Sequence, residues 1–433
     1  MVGTVKSHSR SALRGEIITN FGELESLAPE WMRLRNAGRR QDVFATPAWA
    51  RACRQAYGSL WRVYAPVVYD ERGLAAILPL KVEGGILQFL GAPHSDYNDV
   101  LCERAAPATI LESCLRALLR QPRPWRECIL ENVPEDSVLL DMLSRVSTAM
   151  KQSIRVTTGA LCPGLDLTGD TGEYLDGLIK KKSLVRHEKS LQRLGKVSFR
   201  HLEDREEIKG HLPNLFRFHI ARRAVAGDAS LFLNADTCAF YRALVDELDP
   251  KTDLRFSVLE LDRQPVAYHF GFESNGAFMW YKPAFDVKLW EYSPGEVLIK
   301  KLLEYARDHK LREFDFTVGN ETFKDRFANR VRRNRRIHVY GSPAVALRAR
   351  LLACAGERAR GAQRALGIRS GLKARASGLG RRVVRAIRRD GLARVCRRVL
   401  AEAFCRLIFR HAEVLVFAAD GATAAPGAAG IGM

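Results

Sequence analysis

Between Glu291 and Arg330 the hydrophobic period changes from helical to alternating within a few residues, and no other feature of the sequence constrains the fold as much. Ser293 and Glu296 have capping-box spacing, and Pro294 suits a first helical position. Leu298, Leu302, Tyr305 and His309 then recur at helical spacing, which predicts a helix from Pro294 to Asp308. Phe314, Phe316 and Val318 alternate with Asp315 and Thr317, which predicts a strand ended by Gly319-Asn320. A helix start beside a strand end offers backbone N–H groups to an anion on one side and reactive side chains on the other.

The same helix-then-strand order occurs earlier, from Pro107 to Leu130, at nearly the same offset, although identities hardly repeat. Before it, Thr46 and Pro47 read as the N-cap and first residue of a helix. Arg62 to Tyr69, Leu74 to Leu80 and Ile86 to Leu90 read as an antiparallel meander. After it, a Gly- and Thr-rich stretch around 157–172 reads as a link between halves. The second half offers helices from Leu175 to Leu194 and from Ile208 to Ala224, then a hairpin of Leu254 to Leu261 with Val266 to Phe272. Strands at Ala277 to Tyr281, Phe314 to Val318 and Arg336 to Tyr340 follow. The expected organisation is a flexible N-terminus (1–14), a first lobe (15–160), a second lobe (161–342) and an Arg-rich extension (343–433). The expected class is α+β, each lobe a mixed β-sheet flanked by helices, with a basic helical C-terminal extension.

The formal net charge of +20 is unevenly placed: residues 341–410 hold seventeen Arg and one Lys against three acids. Leu392, Val395, Cys396, Val399, Leu400, Ala403 and Leu407 follow helical spacing among Arg394, Arg397, Arg398 and Arg406. This predicts an amphipathic basic helix suited to an anionic membrane surface through 343–411. RNA, in the form of tRNA, is the second partner weighed; only Phe404 and Phe409 are aromatic between 341 and 410, which leaves little for base stacking, and no DNA partner is expected. Nine cysteines are scattered without a C-x-x-C pair or a cysteine–histidine cluster at zinc spacing, so no metal and a reducing compartment are expected. Lys6, Arg10 and Arg14 lead into no apolar core, and no eighteen residues run apolar. The expected location is cytoplasmic, peripheral on the inner face of the membrane where the tail binds it.

Tyr281-Lys282-Pro283-Ala284-Phe285-Asp286, then Tyr292-Ser293-Pro294-Gly295 opening a helix, then Phe314-Asp315-Phe316 and Phe323-Lys324, resemble the second half of the CelD-like (BioF2-like) branch of the GNAT acyltransferases, relatives of the Fem-type peptidyltransferases. The resemblance spans roughly Glu16 to Tyr340 and is most specific from Ala267 to Phe327. It implies two tandem GNAT-like lobes and an acyl-thioester donor, acetyl-CoA or another acyl-CoA. This sequence is poorer in glycine at the phosphate loop, and Phe323 stands where the family often has Tyr, which removes one candidate proton donor.

Acyl transfer to an amine requires a donor site, a base and a group that stabilises the developing oxyanion. Ser293, Gly295 and Glu296 are the candidates for the donor's phosphates. His269, mid-strand, is the candidate base, against the alternative of a hydrogen-bonded core histidine. Asp315, if buried, needs a partner, and Lys324 is the natural one, either as an internal salt bridge or as a phosphate-binding lysine. Asp96, Tyr97 and Asp99 in the polar run after Gly91, together with Tyr281, are candidates for acceptor binding. The expected activity is N-acylation of an amino group on a small metabolite, an amino sugar or an envelope or exopolysaccharide precursor. The alternatives are an aminoacyl-tRNA-dependent Fem-like transferase and a non-catalytic membrane- or RNA-binding protein on a degenerate GNAT scaffold.

Overall fold

The computed structural model describes residues 13–340 except 105, 107, 120–122, 145–153 and 170–171. The whole 343–433 extension, including its expected basic helix, and all but the last two residues of the expected flexible N-terminus lie outside the described residues.

The strands are β1 (Arg14–Ile18), β2 (Trp61–Val63), β3 (Ala65–Asp70), β4 (Gly73–Ile77), β5 (Leu80–Glu83), β6 (Ile86–Phe89), β7 (Leu101–Cys102), β8 (Glu127–Pro134), β9 (Ile154–Asp166), β10 (Val197–Leu202), β11 (Leu254–Leu261), β12 (Gln264–Ser274), β13 (Ala277–Phe285), β14 (Glu313–Asp315) and β15 (Arg330–Tyr340). Four form a small sheet in the order β1-β3-β4-β7. The other eleven form one mixed sheet in the order β10-β11-β12-β13-β14-β9-β15-β8-β6-β5-β2, flanked by helices. The α+β expectation holds.

Two sequence expectations are corrected. The early meander does not stay in one sheet: β3 and β4 join the small sheet, while β2, β5 and β6 join the large one. Pro79 lies between β4 and β5, and a residue with no N–H cannot extend a ladder, so the chain changes sheets there. The Gly- and Thr-rich stretch is no link; its first ten residues belong to β9, which lies between β14 and β15. Gly159 and Gly164 serve close packing rather than flexibility, since a Cβ on Gly159 would meet the Asn334 carbonyl oxygen at 2.9 Å.

Each half repeats one topological unit. An antiparallel pair is followed by a helix and a strand that returns parallel to the pair's second member. In the first half β5 and β6 are followed by helix Ala108–Leu119 and by β8, parallel to β6. In the second, β12 and β13 are followed by helix Pro294–Asp308 and by β14, parallel to β13. The later helix buries Val297, Leu298, Leu302, Leu303 and Ala306 in a cluster with Phe278, Phe314 and Phe316. Full burial of each large side chain contributes about 1.5–3 kcal/mol.

The halves share a core. Helices Pro47–Tyr57 and Ala235–Glu247 pack together, and Phe44, Trp49 and Tyr97 from the first half meet Phe240, Phe272 and Tyr281 from the second. Thr46 Oγ1 accepts from the Trp49 N–H at 3.2 Å with Pro47 as first helical residue, as its sequence position predicts.

Candidate active site

The large sheet opens beside β13. β13 and β14 pair only from Ala277 to Met279 against Glu313 to Asp315, while β13 continues to Phe285. Beyond Asp315 the other chain stays with β9 through Phe316 N–H to the Pro163 carbonyl (3.0 Å) and Gly319 N–H to the Leu161 carbonyl (3.0 Å). Thr317, in the left-handed region at φ 54°, donates its hydroxyl to the Trp280 carbonyl at 3.0 Å. Past this bridge the strands diverge, with Trp280 to Phe285 on one wall and Val318 to Lys324 on the other.

Two chambers fill the gap, one of about 490 Å³ and one of about 510 Å³. They share Trp280, Pro283, Phe285, Trp290, Phe323 and Arg222. The first alone is lined by His219, Arg223, Lys282, Glu321 and Lys324, so it is polar. The second alone is lined by Ser293, Gly295, Glu296, Leu298, Ile299 and Arg326, and so extends to the start of helix Pro294–Asp308.

The candidate cofactor residues therefore do line a cavity, but the expected capping box is not made. Ser293 sits at φ 51° and its side chain caps nothing. Its carbonyl instead receives the N–H groups of Glu296 (2.9 Å) and Val297 (3.2 Å). Glu296 instead accepts from Arg326 at 2.9 Å, with His187 Nε2 at 3.6 Å. Gly295 is needed for space: a Cβ would meet the Phe285 ring at 3.0 Å.

Asp315 and Lys324 do not pair with each other, contrary to expectation. Asp315 is 3% exposed, accepts from the Tyr97 hydroxyl at 2.8 Å and forms an ion pair with Arg332 at 2.6 Å. Lys324, also 3% exposed, donates to the Val318 carbonyl at 3.1 Å and pairs with Glu321 at 2.9 Å. Its alkyl chain and ammonium stay in the chamber wall, whereas Asp315 belongs to the seam between halves.

His269 is wholly buried. It stacks on Trp280 at 4.7 Å and on Phe278 at 5.4 Å, and its Nε2 accepts from the Tyr281 N–H at 3.1 Å, across the β-bulge in the β12–β13 pairing. Burial drives its pKa well below that of a free imidazole. It lines neither chamber and is a core histidine that satisfies the bulge amide.

The acceptor candidates separate in the same way. Tyr97 is engaged by Asp315, with the Arg40 guanidinium 4.7 Å over its ring. Asp99 caps helix Val138–Ser144, accepting from Ser137 Oγ (2.5 Å) and from the N–H groups of Val100, Val138 and Leu139. Tyr281 lines the polar chamber and donates its hydroxyl to the His94 carbonyl at 2.6 Å. Asp96 is buried behind that chamber, and burial raises its pKa against the opposing ammonium groups of Lys282 and Lys324.

Lys282 was visible in the sequence only as part of a motif. Its Nζ stands 3.5 Å over the Tyr281 ring, and burial lowers its pKa, with Asp96 as the main opposing charge. Arg222, Arg223 and His219 had no distinguishing signal, because helix Arg205–Ala226 carries charges on several faces and only the tertiary packing selects which ones meet the gap. Among the described residues no group of His, Cys, Asp and Glu could hold a metal, and no helix is long and apolar enough to cross a membrane.

Comparison with known proteins is consistent with this geometry. Residues 180–325 match the family described as Acetyltransferase (GNAT) domain. Among solved structures, FemX is similar at TM-score 0.50 and 10% identity, over 74% of this chain and 96% of that one. L-PGS from Bacillus licheniformis is similar at TM-score 0.45 and 12% identity, over 72% and 97%. A tandem GNAT protein from the clavulanic acid biosynthesis pathway follows at TM-score 0.41 and 11% identity, over 75% and 98%. No curated protein matches the sequence. Residues 180–325 thus match an acetyltransferase (GNAT) domain, and the chain shares its fold with FemX.

Proposed function

We propose that this protein is an N-acyltransferase that takes an acyl group from a coenzyme A thioester and delivers it to an amine. The observation that carries this reading is the opening between β13 and the 316–324 segment, which leaves strand-edge backbone on β13 facing a chamber that ends at a helix start. A linear thioester arm fits there along Trp280 to Phe285. Its phosphates would reach the first turn of helix Pro294–Asp308, where helix polarity favours negative charge and where they would compete with Glu296 for the Arg326 guanidinium.

In the reaction the amine nitrogen bonds to the thioester carbonyl carbon, the carbon–sulfur bond breaks, and sulfur leaves as the thiol. The attacking ammonium must first lose a proton. Lys282 is the base best placed for this, since it lines the polar chamber, has no carboxylate at ion-pair distance among the described residues, and is pushed by burial toward its neutral form. Lys324, held by Glu321 and the Val318 carbonyl, supplies a fixed positive charge for the developing oxyanion. Acceptors with an amino group on a sugar, a small metabolite or an envelope precursor fit the expectation from sequence.

Titration calorimetry with acetyl-CoA and longer acyl-CoA should show binding, and a thiol-release assay with an amine panel should show turnover. Absence of heat with every chain length would sink the reading. An aminoacyl-tRNA donor is the second reading, supported by the fold shared with FemX and by the Lys181, Lys182, Arg186 and Lys189 surface leading from the chamber mouth at Arg326. Transfer from charged tRNA, with none from any acyl-CoA, would select it.

A further inference from the structure

Arg222 is the least compensated charge in the gap. It is half-buried on helix Arg205–Ala226 where the two chambers meet, and no described carboxylate lies at ion-pair distance. Its guanidinium carbon stands 5.8 Å from the centre of the Phe285 ring. The adjacent Arg223 adds like charge, and Glu321, already paired with Lys324, opposes it weakly. A guanidinium taken partly out of water without a counter-charge costs free energy, and a wall that keeps one is set up for an anion from outside.

His219, one turn earlier, points the same way. Its Nδ1 lies 2.9 Å from Ser230 Oγ, and that oxygen already accepts the Phe232 N–H at 3.1 Å. The Ser230 proton is then available to Nδ1, which places the ring proton on Nε2. Burial holds the imidazole neutral, down to about pH 3. His219 is therefore a fixed N–H donor in the polar chamber rather than a base.

We propose that Arg222, with His219 and Arg223, binds a carboxylate or phosphate carried by the amine-bearing acceptor, so that the enzyme selects acidic amines. This rests on the acyltransferase reading above. The assignment to the acceptor follows from the division of the gap. His219 and Arg223 line only the polar chamber, with Lys282 and Lys324, while Ser293, Gly295, Glu296 and Arg326 line only the other. The planar fork of Arg222 suits either oxyanion in two-point contact.

The test uses the full chain and matched acceptors: glucosamine 6-phosphate against glucosamine, and alanine against alaninamide, with acetyl-CoA as donor. The anionic member of at least one pair should show a KM at least ~tenfold lower, the discrimination of one well-placed contact. Arg222→Gln should erase that preference by raising the KM of the anionic acceptor to that of its neutral counterpart, and Arg222→Lys should restore part of it. Equal use of neutral and anionic acceptors by the wild type would overturn the proposal. So would an Arg222→Gln variant whose KM rises for the donor instead. A binding arm separates this from failure of the acyltransferase reading: calorimetry with glucosamine 6-phosphate, inorganic phosphate and pyrophosphate, comparing wild type with Arg222→Gln in the presence of saturating coenzyme A. Arg222-dependent binding without turnover removes the acyltransferase reading and leaves the anion pocket standing. No Arg222-dependent binding of any of the three overturns the pocket.

Discussion

Two charged regions lie close together in this protein and differ in one respect. In the seam between halves, the carboxylates at the sheet opening are answered, Asp315 by Tyr97 and Arg332 and Glu313 by Arg330 and Arg332, while Arg35 donates to Ser274 Oγ and the Asp42 carbonyl. In the gap beside β13, Lys324, Arg326 and Arg223 are paired with Glu321, Glu296 and Asp228, but Arg222 and Lys282 line the polar chamber with no described carboxylate at ion-pair distance. Both regions are rich in basic residues, so composition does not tell them apart. The pairing does: satisfied charges hold elements together, and unsatisfied ones at a cavity wall are kept for what enters the cavity.

The contrast breaks first at the seam. Asp315→Ala leaves half-buried Arg332 with Glu313 as its remaining carboxylate and the buried Tyr97 hydroxyl without its acceptor, and should destabilise the protein by about 1–3 kcal/mol, read as a lower denaturant midpoint. A loss below ~1 kcal/mol would mean that the seam is as loosely held as the gap.

Acid should weaken the seam next. Burial between Tyr57 and Phe240 lowers the His94 pKa to about 3, from an ordinary value of 6.5. The unfolded chain takes up a proton below about pH 6.5 and the native protein does not, so the stabilisation is complete above that pH and is lost as pH falls toward 3. The slope approaches about 1.4 kcal/mol per pH unit for this group. Urea titrations at pH 7 and pH 5 should differ in that sense, and His94→Asn should shrink the difference.

Within the gap, Lys324→Met should lower the acyl-transfer rate by at least ~tenfold, or ~1.4 kcal/mol in the barrier. If the folded variant keeps full activity, Lys324 belongs with the seam as a structural ion pair. The smallest effect is expected at Ser293. Because it sits at φ 51° and caps nothing, Ser293→Gly should raise stability by at most about 1 kcal/mol and leave donor binding unchanged. A measurable loss of donor affinity would show that the hydroxyl contacts the donor.

The helix-then-strand unit at Pro294 to Asp315, the Thr46–Pro47 helix start and the α+β class were legible in the sequence, because periodicity and capping chemistry are local. The family resemblance singled out Ser293, Gly295 and Glu296, which line one chamber, and Lys324, which lies in the wall of the other. Local spacing misdirected the pairings. Glu296 had a local partner at capping distance in sequence, yet Arg326 competes for it through space. Lys324 was the nearest cation to Asp315 along the loop, but Arg332 reaches that carboxylate from β15. His269 had the chemistry of a base and lies inside a stack of aromatic rings. What the sequence determined by itself is where helices and strands begin and which faces are apolar, since those follow from neighbours a few residues apart. What only the tertiary structure decided is which charges are answered, because that depends on strands and helices hundreds of residues apart meeting at one seam and parting at one gap.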